Sequence, residues 1–149
     1  MIKIIHVDDE KNYLELTKEI MMSYDKDMEI VTSTSPSRVL ECIRNANPDI
    51  VLSDYKMPEM DGIQFTRRIR ELSEIPVILY TGSNEEKLAE EAFKAGADDF
   101  VTKAYDAAHY IVLLKRIKNV VDKYRIKMAF QKTSEDMTRL KNQELAVTG

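Results

Sequence analysis

The sequence predicts a doubly wound α/β domain, in which helices cover both faces of a parallel sheet, over residues 1 to about 123. Two observations support this prediction, and a general rule then places the helices. Short runs rich in Ile and Val alternate five times with segments whose apolar residues recur at helical spacing. The clearest runs are continuously apolar, which is typical of parallel strands covered on both faces. Crossovers between parallel strands are right-handed, so the helices are expected on both sides of the sheet.

The five predicted strands are short, and the second along the chain is the weakest. In chain order they are residues 2–7, 29–33, 50–53, 76–80 and 99–102. Each is followed by a polar residue or a turn, which limits its length.

The segments between the strands carry apolar stripes that we expect to face the sheet. Ser35 is expected to cap the second helix, with Pro36 at its first helical position. The fifth helix is predicted from 107 to about 123. The stripes, helix by helix, are Leu14, Leu16, Ile20 and Met21; Val39, Leu40 and Ile43; Ile63, Phe65, Ile69 and Leu72; Leu88, Ala92 and Phe93; and Ile111, Leu114, Ile117 and Val121.

Composition narrows the class of protein. Of 149 residues, 44% are hydrophobic and 32% charged, with 4 Gly and 4 Pro, which excludes collagen-like, low-complexity and wholly disordered chains. No apolar run approaches the ~18 residues of a membrane span, so no membrane insertion is expected. The first residues have too short an apolar stretch for a signal peptide. The single cysteine, Cys42, allows no internal disulfide, and we expect a cytoplasmic protein.

Charge is distributed unevenly along the chain. Residues 1–103 hold 13 Lys and Arg against 21 Asp and Glu, a net of −8, whereas residues 104–149 hold 9 against 5, a net of +4. This basic excess is too sparse for a nucleic-acid surface, and no helix-turn-helix segment follows the predicted domain. Direct DNA binding is therefore not expected.

Polar residues follow four of the predicted strands, where open α/β folds place their functional crevice. Asp8 and Asp9 follow the first strand, Asp54 the third, Thr81 the fourth and Lys103 the fifth. Each alone is most often a turn, a helix cap or a solvated charge. Their occurrence together, at the strand ends that share one edge of the sheet, indicates a site.

The chemistry of this predicted site follows from its residue types. Three crowded carboxylates repel one another unless a cation lies among them. Oxygen ligands suit Mg²⁺, which commonly uses one or two carboxylates together with a phosphate oxygen. A lysine and a threonine hydroxyl stabilise charge on a phosphoryl oxygen. The set therefore favours phosphoryl transfer to a carboxylate.

Several motifs resemble the receiver domain of two-component response regulators, of the chemotaxis-regulator type. The similarity extends from residue 2 to about 122. It rests on Val7-Asp8-Asp9-Glu10, Asp54-Tyr55-Lys56-Met57-Pro58-Glu59-Met60-Asp61-Gly62, Tyr80-Thr81-Gly82, Ala95-Gly96-Ala97 and Phe100-Val101-Thr102-Lys103. The resemblance implies a flavodoxin-like sheet of order 2-1-3-4-5 with five flanking helices. It places a receiver domain at 1–123 and a helical extension or linker at 124–149.

The resemblance also implies roles for the acidic residues. Asp54 is expected to accept a phosphoryl group from a sensor histidine kinase or a phosphotransfer protein. Asp9 is expected to bind Mg²⁺ directly, and Asp8 directly or through a water. The remaining metal ligands are expected to be Asp54 and the backbone carbonyl of Lys56.

Further residues are implied to convert phosphorylation into a conformational change. Thr81 and Lys103 are expected to bind the phosphoryl oxygens, and Phe100 to turn inward as Thr81 moves. Gly62, in the loop over the site, is expected to supply a backbone angle that other residues resist. Ala104 departs from the pattern, since the family usually has proline there in a cis peptide bond. The Lys103–Ala104 bond is expected to be either trans, with a re-routed loop, or strained.

The function expected from this resemblance is a signalling switch and not a turnover enzyme. The domain would catalyse only its own phosphorylation and dephosphorylation. One alternative is a pseudo-receiver, a protein-interaction module without phosphoryl transfer. Such a module is expected to lack a residue of the acidic pair, Asp54 or Lys103, and all of these residues are present. A second alternative, an aspartyl-phosphate phosphatase, carries Asp-x-Asp, whereas Tyr55 and Lys56 follow Asp54 here.

The tail predicts a continued helix, because no Gly or Pro occurs between residues 108 and 147 and helix-forming residues dominate. Ile126, Phe130, Met137 and Leu140 form an apolar stripe that Thr133 interrupts. A solvated helix is one interpretation. We favour a second interpretation, in which the stripe packs against a helix of a second copy in a weak homodimer. The chain would then be a fragment of a longer sensor kinase or regulator.

Overall fold

A computed structural model describes residues 1–83 and 85–148, and for residues 145–148 it describes the backbone alone. Within these ranges the chain forms a five-stranded parallel sheet flanked by helices. The strands are β1 (Ile2–Val7), β2 (Met28–Ser33), β3 (Ile50–Ser53), β4 (Val77–Thr81) and β5 (Asp99–Thr102). The helices are α1 (Lys11–Tyr24), α2 (Pro36–Ala46), α3 (Gly62–Leu72), α4 (Glu86–Ala95) and α5 (Ala107–Thr148). The strand order is β2-β1-β3-β4-β5, which confirms the predicted fold.

The predicted bounds of β1, β3 and β5 are confirmed, and those of β4 are one residue early. Pro76 has no N–H to donate, and only its carbonyl participates, accepting from the Val51 N–H at 2.9 Å. At the other end, Thr81 pairs with Thr102 of β5. The strand therefore carries Thr81 to the edge of the sheet instead of ending before it.

Three apolar residues of the predicted helical stripes are exposed. These are Leu16, Phe93 and Ile111, and the predictions that they face the sheet are wrong. In α1 the buried positions are Leu14, Thr17 and Met21, and Leu16 lies two residues, or about 200°, from Leu14 around the helix. Spacing therefore fixes the buried face even where a polar residue occupies it.

Side chains of alternate strand residues form separate cores on the two faces of the sheet. On one face, Ile4 and Leu52 pack with Tyr80 beneath α1 and α5. On the other, Ile5 and Val51 pack beneath α2 and α3. The cap predicted for α2 is confirmed, since the Ser35 hydroxyl accepts from the Arg38 N–H at 3.2 Å.

Helix α5 has 42 residues, and the extension predicted after residue 123 continues it without interruption. Its first half packs on the sheet through Leu113, Ile117 and Val121, which are buried. Arg125 still contacts the body of the domain, donating to the Met1 carbonyl at 3.0 Å and pairing with Asp49 at 3.2 Å. Among the described residues, no helix is both long enough and apolar enough to cross a membrane.

Candidate functional site

Three carboxylates meet at the carboxyl edge of the sheet. Asp8 and Asp9 follow β1, and Asp54 follows β3; the two strands are neighbours in register, with Val7 opposite Ser53. One oxygen from each of the three acids lies within 4.8 Å of the others. The acidic cluster predicted from strand ends is therefore present.

Asp8 is the most enclosed of the three acids, with no exposed surface. One of its oxygens accepts from the Glu10 N–H at 2.9 Å. The other accepts from the Lys103 ammonium at 2.6 Å. These two interactions compensate the burial of a charge that would otherwise be strongly unfavourable.

Asp54 presents one carboxylate oxygen to Lys103, whose Nζ lies 3.6 Å away. Its other oxygen accepts from the Tyr55 N–H at 2.8 Å, which fixes the orientation of the side chain. The residue is 9% exposed and lines the cleft above the cluster.

Asp9 is the exposed member of the cluster. Desolvation raises its pKa above the ordinary value, and its hydrogen bond to Asp8 and the charges of Asp8 and Asp54 raise it further. Three carboxylates lie close together here and the Lys103 ammonium pairs with two of them, so negative charge is in excess. The donor set of three carboxylates fits a hard divalent cation such as Mg²⁺.

Lys103 comes from the end of β5, where its N–H donates to the Thr81 carbonyl at 2.8 Å. Its side chain turns back across the sheet edge and is 18% exposed. Besides the two carboxylates, the ammonium contacts the face of the Tyr13 ring, 4.2 Å from its centroid. Tyr13 and the acids therefore hold the ammonium in one place.

A chain of hydrogen bonds leads from Tyr13 into α5, and the sequence did not reveal it. The Tyr13 and Tyr80 hydroxyls are 2.7 Å apart, and the Tyr80 hydroxyl is 2.8 Å from Nε2 of His109. Burial raises the pKa of both tyrosines and lowers that of His109. One signal was available, since Tyr80 is a bulky residue with a hydroxyl that directly follows three aliphatic residues in its strand.

His6 is fully buried beside this chain, 6.4 Å from the Tyr13 ring and 5.9 Å from the Tyr80 ring. A histidine within a strand is most often a packed, hydrogen-bonded core residue. His6 is packed in the core, but within the described part of the chain neither of its ring nitrogens has a hydrogen-bond partner. Burial lowers its pKa to about 4, with Lys103 lowering it further and Asp8 opposing. The ring is therefore neutral near pH 7.

A cleft with a volume of about 730 Å³ lies above the acidic cluster. Thr81, Lys56 and Ser83 line it together with Asp54 and Lys103. Thr81 is 4% exposed. Phe100 is not in the lining; it is half-buried against the cluster of β4, α3 and α4 residues that contains Leu79 and Leu88. An inward turn of this ring would therefore change the packing beneath α4.

Gly62 is needed at its position for a reason different from the predicted one. The left-handed glycine among the described residues is Gly96, with φ 106°. A Cβ at Gly62 would instead overlap the backbone carbonyl oxygen of Asp54 and lie 2.6 Å from Cδ1 of Leu79. The Gly62 N–H donates to the Tyr55 carbonyl at 2.7 Å, so the start of α3 lies directly against the loop that carries Asp54.

The backbone after Lys103 is regular in its peptide geometry. No peptide bond between described residues is cis, so the Lys103–Ala104 bond is trans. Of the two possibilities left open by Ala104, a trans bond or a strained cis bond, the structure has the trans bond. Tyr105, two residues after Lys103, is fully exposed and lines the rim of the cleft.

Comparison with known proteins agrees with this arrangement. The family model described as response regulator receiver domain matches residues 4–118. The heme response regulator HssR of Staphylococcus epidermidis is 33% identical over 126 residues, which cover 85% of this chain and 54% of that protein. Protein-glutamate methylesterase/protein-glutamine glutaminase 2 of Cupriavidus pinatubonensis is 38% identical over 105 residues, 68% of this chain and 29% of that protein. The chain thus spans about half, or less, of the length of these relatives.

Solved structures match over nearly their whole length. The response regulator domain of CheB from Thermotoga maritima has a TM-score of 0.73 at 25% identity, covering 82% of this chain and 97% of that domain. The BeF3-activated N-terminal receiver domain of RstA from Klebsiella pneumoniae has a TM-score of 0.72 at 28% identity, covering 80% and 97%. Fold, acidic cluster and sequence similarity agree, and the chain belongs to the response regulator receiver domains of two-component signalling.

Proposed function

We propose that the chain is a phosphorylation-dependent switch whose acceptor is Asp54. The observation that carries the proposal is the position of this carboxylate, beside two further acids and 3.6 Å from the Lys103 ammonium. The phosphoryl donor would be a phosphohistidine on a sensor histidine kinase or a phosphotransfer protein. An Asp54 oxygen forms the new P–O bond as the P–N bond breaks, and the histidine nitrogen keeps the electron pair.

The acidic cluster supports a Mg²⁺ requirement for this transfer. Asp8, Asp9, Asp54 and the backbone carbonyl of Lys56 would hold the ion, which supplies positive charge to the phosphoryl oxygens when bound. Asp54 remains oriented by the Tyr55 N–H during the reaction. The cleft above it is the route for a small donor or for the histidine of a protein donor.

Lys103 and Thr81 would detect the phosphoryl group. Phosphorylation adds about −1.5 to −2 charges at Asp54, and the Lys103 ammonium is close enough to pair with them. The Thr81 hydroxyl would donate to a phosphoryl oxygen, and Phe100 would turn inward. Contacts made only in the phosphorylated state are what shift the population toward it.

Residues 1–123 would carry this switch, and residues 124–149 would link it to an output. Among the curated relatives are a transcriptional regulator, SrrA of Staphylococcus aureus, and a methylesterase, so a receiver of this kind occurs in longer proteins of differing activity. We propose that this chain acts in the cytoplasm, by itself or as part of a longer regulator or sensor kinase. Its own chemistry would be limited to self-catalysed phosphorylation and dephosphorylation.

Intact-mass measurement after incubation with acetyl phosphate and Mg²⁺ tests the proposal. We expect an adduct of roughly 80 Da, one HPO₃ unit, on the wild type and on the control Asp27→Asn, whose side chain is exposed and distant from the cluster. We expect none on Asp54→Asn, and none when EDTA replaces Mg²⁺. An adduct that persists in Asp54→Asn would refute the assignment. Absence of any adduct on the wild type would instead favour the pseudo-receiver, an interaction module without phosphoryl transfer.

A further inference from the structure

The second half of α5 carries an apolar stripe with the spacing of a coiled-coil seam. Ile126, Phe130, Thr133, Met137 and Leu140 follow one another at intervals of four, three, four and three residues. The four apolar members are 69%, 71%, 66% and 61% exposed, in chain order. In heptad notation Phe130 and Met137 occupy a positions, and the other three occupy d positions.

This stripe lies on the opposite side of α5 from the face that packs on the sheet. Ile117 and Val121 are buried in the core. Ile126 and Phe130 each come nine residues later, which is about 180° around the helix at roughly 100° per residue. A helix that packs on the stripe therefore approaches from the side away from the receiver, where the body of the domain does not obstruct it.

The charges beside the stripe specify what kind of helix fits. The g positions of successive heptads are Asp122, Ala129 and Asp136, and the e positions that follow them by five residues are Lys127, Ser134 and Lys141. In a parallel pair of identical helices, each g residue lies beside the e residue five positions later on the partner. We propose that residues 126–140 pair with the same segment of a second copy of this chain, parallel and in register.

In that arrangement both charged g positions meet an opposite charge. Asp122 of one helix faces Lys127 of the second copy, and Asp136 faces Lys141. Within its own helix Asp136 accepts from Arg139 at 2.8 Å through one oxygen, which leaves the other oxygen for the second copy. The intervening pair, Ala129 with Ser134, is neutral.

An antiparallel pair fits less well. Antiparallel helices place e beside e and g beside g, so a pair centred on Thr133 brings Lys127 close to Lys141 of the second copy. Two like charges then meet where the parallel pair has opposite ones. Asp136 would face Ala129 and gain no partner. Charge therefore selects the parallel direction.

The pair is expected to be weak and to depend on concentration. The seam extends over about two heptads, which is short for a coiled coil, and Thr133 places a polar group at its centre. Upstream, the a and d positions are polar, namely Lys123 and Asn119, so the seam begins at Ile126. The two receivers would lie on the outer sides of the paired helices, with both acidic clusters accessible.

Sedimentation velocity over a range of concentrations tests the association. We expect the full chain to shift from monomer toward dimer as concentration rises, and Phe130→Glu to require at least about tenfold more protein. Gln131→Glu introduces the same residue at the neighbouring b position and should behave as wild type. Each of these side chains is exposed in the single chain, so unfolding curves of dilute samples should coincide. A chain that stays monomeric throughout, or equal association by Phe130→Glu, would overturn the proposal.

Disulfide trapping tests the direction, in a Cys42→Ser background because Cys42 is exposed. Ile126→Cys should cross-link readily, since a parallel pair brings identical positions together. Lys132→Cys, on the other side of the helix, is the matched control and should cross-link slowly. Rapid cross-linking of Thr133→Cys without cross-linking of Ile126→Cys would show an antiparallel pair and refute the parallel one.

Discussion

Replacing Gly62 by alanine should destabilise the domain and displace its acceptor residue. The added Cβ would overlap the carbonyl oxygen of Asp54 and lie 2.6 Å from Cδ1 of Leu79. The leucine methyl can move, but the carbonyl belongs to the backbone of the loop that holds the acceptor. The start of α3 must therefore move away from Asp54, or Asp54 must move.

The magnitude follows from comparison with Gly82, where an added Cβ would meet no atom within 4 Å. Both substitutions reduce the entropy of the unfolded chain equally, a stabilisation of about 0.4–1 kcal/mol where the native backbone accepts alanine. Overpacking against a fixed group costs about 1–3 kcal/mol. The difference between the free energies of unfolding of the two variants does not contain this shared entropic contribution. We expect Gly62→Ala to be less stable than Gly82→Ala by about 1–3 kcal/mol.

Urea unfolding of the two variants and the wild type at one pH measures this difference. The same proteins, incubated with acetyl phosphate and Mg²⁺, should show slower phosphorylation only in Gly62→Ala, because that substitution alone presses on Asp54. Equal stability of the two variants would refute the reasoning from close approach. A Gly62→Ala variant that is destabilised but phosphorylated at the wild-type rate would show that α3 moved and Asp54 did not.

Two further outcomes are expected. First, acidification from pH 7 to pH 5 should lower the free energy of unfolding of the wild type by about 2 kcal/mol more than that of His6→Phe. The pKa of folded His6 is about 4, so the unfolded chain takes up a proton below about pH 6.5 while the native ring stays neutral. Unfolding in EDTA at both pH values measures this, and parallel losses in the two proteins would contradict it. Second, Tyr13→Leu should slow phosphorylation of Asp54 severalfold while Tyr13→Phe stays near wild type, because the ring face that contacts Lys103 is worth about 0.5–2 kcal/mol. Mass spectrometry over time measures both rates, and equal effects of the two substitutions would show that the hydroxyl matters instead of the ring.

Strand positions were predictable because local sequence determines them. Runs rich in Ile and Val that end at acids fix β1 and β3, and the topology then brings the residues that follow them to one edge. The acidic cluster therefore followed from the rule that open α/β folds form their site beyond the carboxyl ends of the strands, whereas the strand order came from the family resemblance. The family resemblance added proposed roles for Asp54, Thr81 and Lys103, and these remain to be tested.

Contacts between distant segments were not predictable in the same way. The hydrogen-bond chain from Tyr13 through Tyr80 to His109 joins three elements, and no spacing in the sequence encodes it. Gly62 was recognised as special, but the reason, a carbonyl oxygen against its Cα, depends on how α3 meets the loop after β3. For Phe93, helical spacing predicted a buried side chain, but the residue is exposed and its neighbour Ala92 is the buried one.

Because α5 is continuous, the two halves of one helix are expected to differ in how strongly their amides are protected from hydrogen exchange. Amides near Ile117 and Val121 lie in the core, so their exchange requires opening of the whole domain. Beyond Arg125, the side-chain hydrogen bonds given by the structure join residues of the same helix, such as Thr133 with Ala129 and Thr138 with Ser134. That part opens by fraying from its end, at far lower free energy. The first half therefore acts as a permanent nucleus for the second, which re-forms by adding single residues and never has to initiate a helix.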